Sequence, residues 1–333
     1  MAATIRDVAK LAGVSVATVS RVMNRKGYVN SETEKKVKKA MKQLQFEPNH
    51  VARGLAGKQT KTIALILPDI TNPFFPGLAR GVEDVAKQNG FTVILCNSDD
   101  LGVKERAYIE VLKQKYVDGI IFATHNLLPE DIERMEEFGI PFVVLDRAPM
   151  TGSGCIIRVN NFGGAKAAVQ HLIDVGCKKI AHVYGPQELI TARERLAGYE
   201  EAAKAYPWYT PTLLAPGYFT LEGGLKAVEE LLGRHPDIDG IFAGNDLMAV
   251  GVLKGLYKKG ISVPDQVAVC GFDGVNLSEI TQPELSTVAQ PIYQMGELAA
   301  DKLIERINHS SSQREVIELD VSLIVRESTK KCR

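Results

Sequence analysis

Polar and aromatic side chains follow apolar runs at five places in the sequence. The run PFVVL is followed by Asp146 and Arg147, GIFAG by Asn245, and VAVCGF by Asp273. Such planar donors and acceptors suit the vicinal hydroxyls of a sugar, and phenylalanine rings suit its C–H faces. The residues that this chemistry assigns to a binding site are Phe74, Phe75, Asp146, Arg147, Arg195, Asn245 and Asp273.

The charges of this set favour a neutral ligand. Two carboxylates and two guanidiniums cancel, whereas a phosphorylated sugar would require excess positive charge. Each residue also has a structural interpretation: the two phenylalanines as core, the two aspartates as caps, and Arg193 or Arg195 in surface ion pairs with Glu194. Their shared position after strands favours a binding site.

The elements that must position these residues alternate from residue 61 onward. The apolar runs KTIALIL, FTVILC, DGIIFA, PFVVL, KIAHVY, DGIFAG and VAVCGF are separated by amphipathic segments of helical length. This alternation predicts parallel sheets covered by helices on both faces, and the length of the region fits two subdomains. Ligands of such sheets bind beyond the carboxyl ends of the strands, which is where the polar residues lie.

The first 60 residues differ from the rest in charge. They hold 12 Lys and Arg against 4 Asp and Glu, a net charge of +8, and the other 273 residues hold 28 against 36, a net charge of −8. Only the cationic end is therefore a candidate for nucleic-acid binding.

The spacing of apolar residues in this end predicts three helices. Gly13 permits a sharp turn after TIRDVAKLA, Ser15 can cap VATVSRVMN, and Ser31 with Glu34 predicts a capping box for the third helix. Two short helices around a turn, closed by a third, form a helix-turn-helix module. The alternative is a three-helix module that binds another protein.

The second of these helices is short and polar enough to enter a major groove. Val16 and Ala17 could contact thymine methyl groups, and Arg21 could reach a guanine edge or a phosphate. The predicted DNA-contacting residues of this helix are Val16, Ala17, Thr18, Ser20, Arg21 and Asn24.

A marginal helix is predicted after Pro48, in NHVARGLAGKQT. It is short and contains two glycines, so it would be unstable alone. One interpretation is a hinge helix that forms on DNA, with Leu55 as an apolar wedge in the minor groove. The other is a simple linker, and the pattern does not decide between them.

The remaining signals are negative. The five cysteines have neither CxxC nor metal-ligand spacing and are expected to be reduced. There is no apolar stretch of membrane length and no secretory signal, so a soluble cytoplasmic protein is expected. No nucleotide-binding, zincin or nucleophile-elbow motif is present, so no enzyme activity, metal or cofactor is predicted.

The segments TIRDVAKLAGVSVATVSRVMN and PNHVARGLAGK resemble the lactose repressor (LacI/GalR) family of bacterial transcription regulators. The resemblance implies a homodimer that binds a palindromic operator, with a hinge-helix leucine at the central step. Leu55 occupies that position, whereas Ala56 replaces the lysine that some members carry next to it.

The region after residue 60 resembles the periplasmic sugar-binding-protein fold, through ITNPFF, LDR, ARERLAGY, FAGNDLMAVG, GFDG and TVAQP. The resemblance implies a pentose effector, most simply D-ribose, held between two subdomains. It also implies a dimer interface that includes the helix containing FPGLARGVEDVAKQ. The effector residues implied are Asn72, Phe74, Phe75, Asp146, Arg147, Arg195, Phe219, Asn245, Asp273 and Gln290.

These signals predict four parts and one function. The parts are a helix-turn-helix domain at 1–48, a hinge at 49–60, a first subdomain at 61–160 and 291–322, and a second at 161–290 and 323–333. The predicted fold is an all-α DNA-binding domain joined to an α/β effector domain. The predicted function is that of a sugar-controlled repressor. The alternative is a catabolite-control type of regulator that a phosphorylated partner protein activates.

Overall fold

The structure is a computed structural model that describes residues 3–24, 28–46, 59–114, 117–124, 126–145, 154–309 and 314–330. The chain forms two compact units, residues 1–60 and 61–333. Leu55 and most of the predicted hinge lie outside the described residues, as do Asp146 and Arg147.

The first unit contains three helices, α1 (Ile5–Ala12), α2 (Val16–Asn24) and α3 (Ser31–Gln43). Gly13 ends α1 with a left-handed φ of 68°, and the Ser15 hydroxyl accepts a hydrogen bond from the Thr18 amide at 3.1 Å. Val8, Val19 and Val37, one from each helix, are buried in a common core. The predicted helix-turn-helix arrangement is therefore confirmed.

The predicted cap of α3 is wrong by one residue. Asn30 has an extended backbone, and its Oδ1 accepts a hydrogen bond from the Thr33 amide at 2.7 Å. Ser31 is already the first residue of the helix, so its hydroxyl is not the cap. Glu34 instead forms an ion pair with Lys38 one turn later.

The second unit contains two six-stranded sheets. The strands are β1 (Thr62–Leu67), β2 (Thr92–Asn97), β3 (Gly119–Phe122), β4 (Phe142–Leu145), β5 (Cys155–Val159), β6 (Ile180–Tyr184), β7 (Leu214–Pro216), β8 (Gly240–Ala243), β9 (Ala268–Asp273), β10 (Ser286–Ala289), β11 (Glu315–Leu319) and β12 (Ser322–Ile324). The first sheet has the order β11-β5-β4-β3-β1-β2, and the second β12-β10-β9-β8-β6-β7. All of the pairings are parallel except that of β10 with β12.

Helices cover both faces of these sheets. They are α4 (Phe74–Gln88), α5 (Gly102–Gln114), α6 (Pro129–Glu137), α7 (Asn161–Asp174), α8 (Ile190–Ala203), α9 (Leu221–Arg234), α10 (Asp246–Lys258), α11 (Leu277–Ile280) and α12 (Ile292–His309). Alternate residues of β1 lie in different hydrophobic cores. Ile63 and Leu65 lie in one core, and Ala64 and Ile66 lie in the core on the opposite face of the sheet. Burial on both faces explains why the strand reads as one continuous apolar run.

The chain passes between the sheets three times, from β5 to β6, from β10 to β11 and from β11 to β12. Ser322, assigned by the sequence to the end of the first subdomain, pairs with Ala289 in the second sheet. The domain boundaries stay a prediction. Within the described ranges, no helix combines the length and apolarity needed to cross a bilayer.

Glycines let α4 and α12 approach closely. A Cβ atom on Gly81 would lie 2.2 Å from the Tyr293 carbonyl oxygen, and one on Gly296 would lie 2.1 Å from the Leu78 carbonyl oxygen. Since these neighbours are backbone atoms, no rotamer change could relieve the overlap.

We expect Gly81→Ala to lower the free energy of unfolding by about 1–3 kcal/mol, because the added methyl group must push two helices apart. Gly233→Ala is the matched control, since a Cβ atom there, near the end of α9, meets no other atom within 4 Å. It should be neutral or stabilising by about 0.5–1 kcal/mol. Urea unfolding of both variants tests this, and equal effects would contradict the packing argument.

Candidate functional site

A cleft of about 270 Å³ lies beyond the carboxyl ends of strands from both sheets of the second unit. The residues that line it are Asn72, Phe74, Phe75, Thr191, Arg195, Phe219, Asn245, Asp273 and Gln290. Eight of these were selected from the sequence, and their role in binding a sugar stays a prediction.

A buried ion pair forms the polar centre of the cleft. Arg195 Nη1 donates to Asp273 Oδ1 at 3.1 Å and to the Gly244 carbonyl at 2.7 Å. Arg195 is 4% exposed and Asp273 5%, and the guanidinium carbon lies 3.9 Å from the centre of the Phe272 ring. The alternative of a surface ion pair between Arg195 and Glu194 is therefore wrong. A buried pair of this kind requires additional hydrogen bonds to offset its desolvation.

Gln290 donates one hydrogen bond to the buried ion pair and also brings an acceptor that has no partner among the described residues. Its Nε2 donates to Asp273 Oδ1 at 2.7 Å. Its Oε1 is buried and has no hydrogen-bond partner among the described residues. Because an unsatisfied buried acceptor is costly, a ligand hydroxyl in the cleft would stabilise this arrangement.

The side chain of Asn245 has two roles, one as a helix cap and one as a donor in the cleft. Its Oδ1 accepts a hydrogen bond from the Met248 amide at 2.9 Å and so caps α10. Among the described residues, its Nδ2 makes only a long contact, 3.4 Å, with the Phe219 carbonyl. The amide group could therefore donate to a ligand while the cap stays intact.

The aromatic residues of the cleft belong to the core as well. Phe74 and Phe75 are almost fully buried in the core of the first sheet, with their rings edge to face and their centroids 5.1 Å apart. Asn72 Oδ1 accepts from the Phe74 amide at 3.1 Å at the start of α4. Phe219 has a left-handed φ of 58°, and a Cβ atom on Gly185 would lie 2.3 Å from its ring. Phe74 and Phe75 are therefore core residues that also form part of the cleft wall.

Three residues at or next to this site were not among those predicted from the sequence. Thr191 lines the cleft one turn before Arg195 on α8, and the i, i+4 spacing could have indicated it. Asn161 Oδ1 accepts from Arg195 Nε at 2.9 Å. Asp246 holds the loop after β9: its Oδ2 accepts from the Gly274 amide at 2.8 Å.

Asp246 is fully buried, and its ionisation is suppressed. Burial and then the charge of Asp273 raise the pKa of Asp246 to about 8, although hydrogen bonds from Thr287, Val275 and Gly274 act in the opposite direction. Between the ordinary value of 3.8 and about 8, the folded chain holds a proton that the unfolded chain has released. Through this group, stability therefore falls as the pH rises across that window.

We expect Asp246→Asn to remove this dependence, because an amide cannot ionise. Relative to the unsubstituted chain, the variant should gain stability steadily from pH 5 to pH 8 in urea unfolding. Asp237→Asn is the control, since Asp237 is exposed and its pKa is lowered by the hydrogen bond from Lys179. A constant difference between Asp246→Asn and the unsubstituted chain at every pH would contradict the assignment.

In the first unit, the predicted DNA-contacting residues have different exposures. Val16, Ala17 and Arg21 are exposed, and Thr18 and Ser20 are half-buried. The Thr18 hydroxyl lies 2.9 Å from the Ser15 hydroxyl, within the cap of α2. The side chain of Asn24 lies outside the described part of the chain. A contact of any of these residues with DNA stays a prediction.

Among the described residues, no metal site is evident. In the part of the chain that the structure describes, no three His, Cys, Asp or Glu residues are grouped so that they could hold an ion. The described cysteines, Cys96, Cys155, Cys177 and Cys270, are buried thiols that form no disulfide with one another.

Comparisons with known proteins cover nearly the whole chain. Residues 4–49 match a family model described as bacterial regulatory proteins, lacI family. Residues 60–327 match a model described as periplasmic binding proteins and sugar binding domain of LacI family.

Two curated relatives illustrate the match. The ribose operon repressor of Halalkalibacterium halodurans is 43% identical over 98% of this chain and 97% of its own. Catabolite control protein A of Priestia megaterium is 38% identical over 99% of this chain and 100% of its own.

Two solved structures extend the comparison. A LacI family transcriptional regulator from Enterococcus faecium with bound ribose is 34% identical, with a TM-score of 0.75 over 82% of this chain and 100% of that one. The lac repressor dimer bound to operator and the anti-inducer ONPF is 27% identical, with a TM-score of 0.86 over 99% of each chain.

Proposed function

Since the chain belongs to the lacI family of bacterial regulatory proteins, we propose that it is a transcriptional repressor whose operator affinity is controlled by D-ribose. The chain is a regulator and not an enzyme. The sugar occupies the cleft of the second unit and lowers the affinity for DNA, so that the operon's own sugar relieves repression.

The buried pair of Arg195 and Asp273 carries this proposal. It presents fixed donors and acceptors without net charge, which suits a neutral polyol and disfavours a phosphate. Gln290 Oε1, which has no partner among the described residues, can accept from a sugar hydroxyl, and the rings of Phe74 and Phe75 provide an apolar wall. The family regulator from Enterococcus faecium with bound ribose supports a pentose as the ligand.

Asp146 and Arg147 remain part of the proposed effector site, because they directly follow β4. Asn72 and Phe219 complete it. On the DNA side, α2 is the recognition helix and Leu55 is the minor-groove wedge. The DNA-contacting residues of α2 are Val16, Ala17, Thr18, Ser20, Arg21 and Asn24.

The protein acts as a homodimer on a palindromic operator, as the lac repressor dimer bound to operator suggests. A dimer also matches the two-fold symmetry of such sites. Because its target is chromosomal DNA, the protein acts in the cytoplasm.

Calorimetry of the full chain with a panel of sugars tests the effector. We expect ribose to bind, ribose 5-phosphate to fail because its two negative charges find no excess cation, and hexoses to bind at least about tenfold more weakly because their extra carbon must fit the same cleft. Binding of a hexose together with failure of ribose would contradict the proposal.

A second candidate is a catabolite-control regulator, favoured by the identity of 38% to catabolite control protein A of Priestia megaterium. Such a regulator would gain operator affinity from a phosphorylated phosphocarrier protein. Operator titrations with ribose and with that partner, added separately, distinguish the two. An increase with the partner and no effect of ribose would favour the second candidate.

A further inference from the structure

One buried residue at the site, Asn161, lies on the first connection between the two sheets. This connection leaves β5 at Val159 and enters α7 at Asn161. The second connection leaves β10 at Ala289, and Gln290 lies on it. Asn161 is 1% exposed and does not line the cleft, whereas Gln290 does.

Hydrogen bonds join these two connections through the ion pair of the cleft. Asn161 Oδ1 accepts from Arg195 Nε at 2.9 Å, Arg195 Nη1 donates to Asp273 Oδ1 at 3.1 Å, and Gln290 Nε2 donates to the same Oδ1 at 2.7 Å. The four side chains therefore form one buried chain, Asn161 to Arg195 to Asp273 to Gln290. We name it the crossover chain.

The bonds on the far side of Asn161 fix it further. Its Nδ2 donates to Glu194 Oε2 at 3.2 Å and lies 3.4 Å from the Val159 carbonyl. The side chain thus links α8 to the end of β5. Because water does not replace these bonds in a buried site, breaking any of them would leave a polar group unsatisfied.

The guanidinium of Arg195 is rigid and planar, so its two ends cannot move independently. A ligand that shifts the Nη end shifts Nε as well, and Asn161 must follow or lose its bond. We propose that Asn161 is a positioning residue that transmits occupancy of the sugar cleft to the first connection, and so to operator affinity. This inference depends on the proposed function, namely control of operator binding by ribose.

The role predicts a specific energetic signature. A residue that only shapes the cleft changes the affinity for ribose, and saturating ribose then restores the full effect on DNA. A residue that carries the coupling changes the ratio of operator dissociation constants with and without saturating ribose. This ratio is the coupling factor, and it is measured on the full-length protein by fluorescence anisotropy with labelled operator.

The test variant is Asn161→Leu, which keeps most of the side-chain volume and removes both hydrogen-bonding groups. We expect its coupling factor to fall at least about fivefold, within the range typical of allosteric coupling, and its ribose affinity to fall less than about tenfold.

Asn160→Ala is the matched control on the same connection. Asn160 is exposed, and its Oδ1 caps α7 by accepting from the Gly163 amide at 2.7 Å. Its loss should lower the melting temperature by a few degrees, because a helix cap is removed, and leave the coupling factor unchanged. The control separates loss of stability from loss of coupling.

An unchanged coupling factor in Asn161→Leu, with normal ribose control in the unsubstituted protein, would overturn the role of Asn161 alone. Absence of ribose control in the unsubstituted protein would instead overturn the proposed function. If Asn161→Leu fails to fold, hydrogen exchange of the unsubstituted protein decides. Ribose should slow amide exchange in the first turn of α7, and no change there would overturn the inference.

Discussion

Arg195→Ala is expected to abolish ribose control of the operator while leaving the sugar-free operator affinity within about threefold of its original value. The guanidinium is the main cationic donor that the described residues bring to the cleft, and hydrogen bonds to charged groups contribute about 1.5–3 kcal/mol each. The proposed site has this guanidinium donate two such bonds to ribose, and their loss predicts ribose binding weaker by at least about 100-fold.

The same substitution also affects folding, because Asp273 then stays buried without its cation. Breaking a buried pair in this way costs about 3–5 kcal/mol. Calorimetry with ribose and operator binding by anisotropy should therefore be measured well below the melting temperature of the variant. Melting curves at several ribose concentrations provide an independent measure, since a ligand that no longer binds no longer stabilises.

Arg193→Ala is the matched control for this prediction. Arg193 lies two residues earlier on α8, is exposed, and its Nη1 donates to the carbonyls of Gln187 and Glu188. Its loss should leave ribose binding and operator control unchanged. Equal losses of ribose binding and operator binding in Arg195→Ala would indicate that the pair is structural, and retained ribose binding would remove it from the effector site.

The strands could be predicted from the sequence more completely than the contacts within the site. The seven apolar runs are strands. Six of them are buried on both faces, which leaves a continuous apolar signal, whereas β2 at the edge of the first sheet is largely exposed or half-buried. Short strands were not predicted, because they lack such an apolar run. Strand β7 is only Leu214–Pro216, and β10 contains the buried hydroxyls of Ser286 and Thr287. Runs of three or four residues with polar members do not differ from loops in periodicity.

The rule that ligands bind beyond strand ends identified Arg195, Asn245 and Asp273, since each follows an apolar run. Gln290 came only from the family resemblance. The bond from Arg195 to Asn161 joins residues 34 positions apart, and their pairing depends on how α7 packs against α8. Such contacts depend on tertiary structure, so no local pattern indicates them.

Glycine shows the same limit. Gly81 and Gly296 each lie in a helix, where the sequence predicts only a loss of helix propensity. Their role is visible only once α4 and α12 are seen to touch. By contrast, the turn at Gly13 was predictable, because a left-handed residue between two short helices is a local requirement.

Val19→Asp is expected to abolish operator binding at any accessible concentration and to leave ribose binding unchanged. Val19 is fully buried in the core that α1, α2 and α3 share, and this core is small. Burying a carboxylate without a partner costs more than a domain of this size can offset, since small domains are only marginally stable. The helix-turn-helix should unfold, and α2 would no longer be presented to DNA.

Ribose binding should survive because all of the described effector residues lie in the second unit, residues 61–333. Calorimetry should therefore give an unchanged ribose affinity, while anisotropy with labelled operator shows no binding. Leu11→Asp is the control: it adds the same charge at a residue of α1 that is 46% exposed, so the domain should stay folded. The extra negative charge should weaken operator binding only modestly, and the effect should lessen as salt screens the charge. If Val19→Asp lost both activities together, the two units would fold as one, and the separation of DNA binding from sugar binding would be wrong.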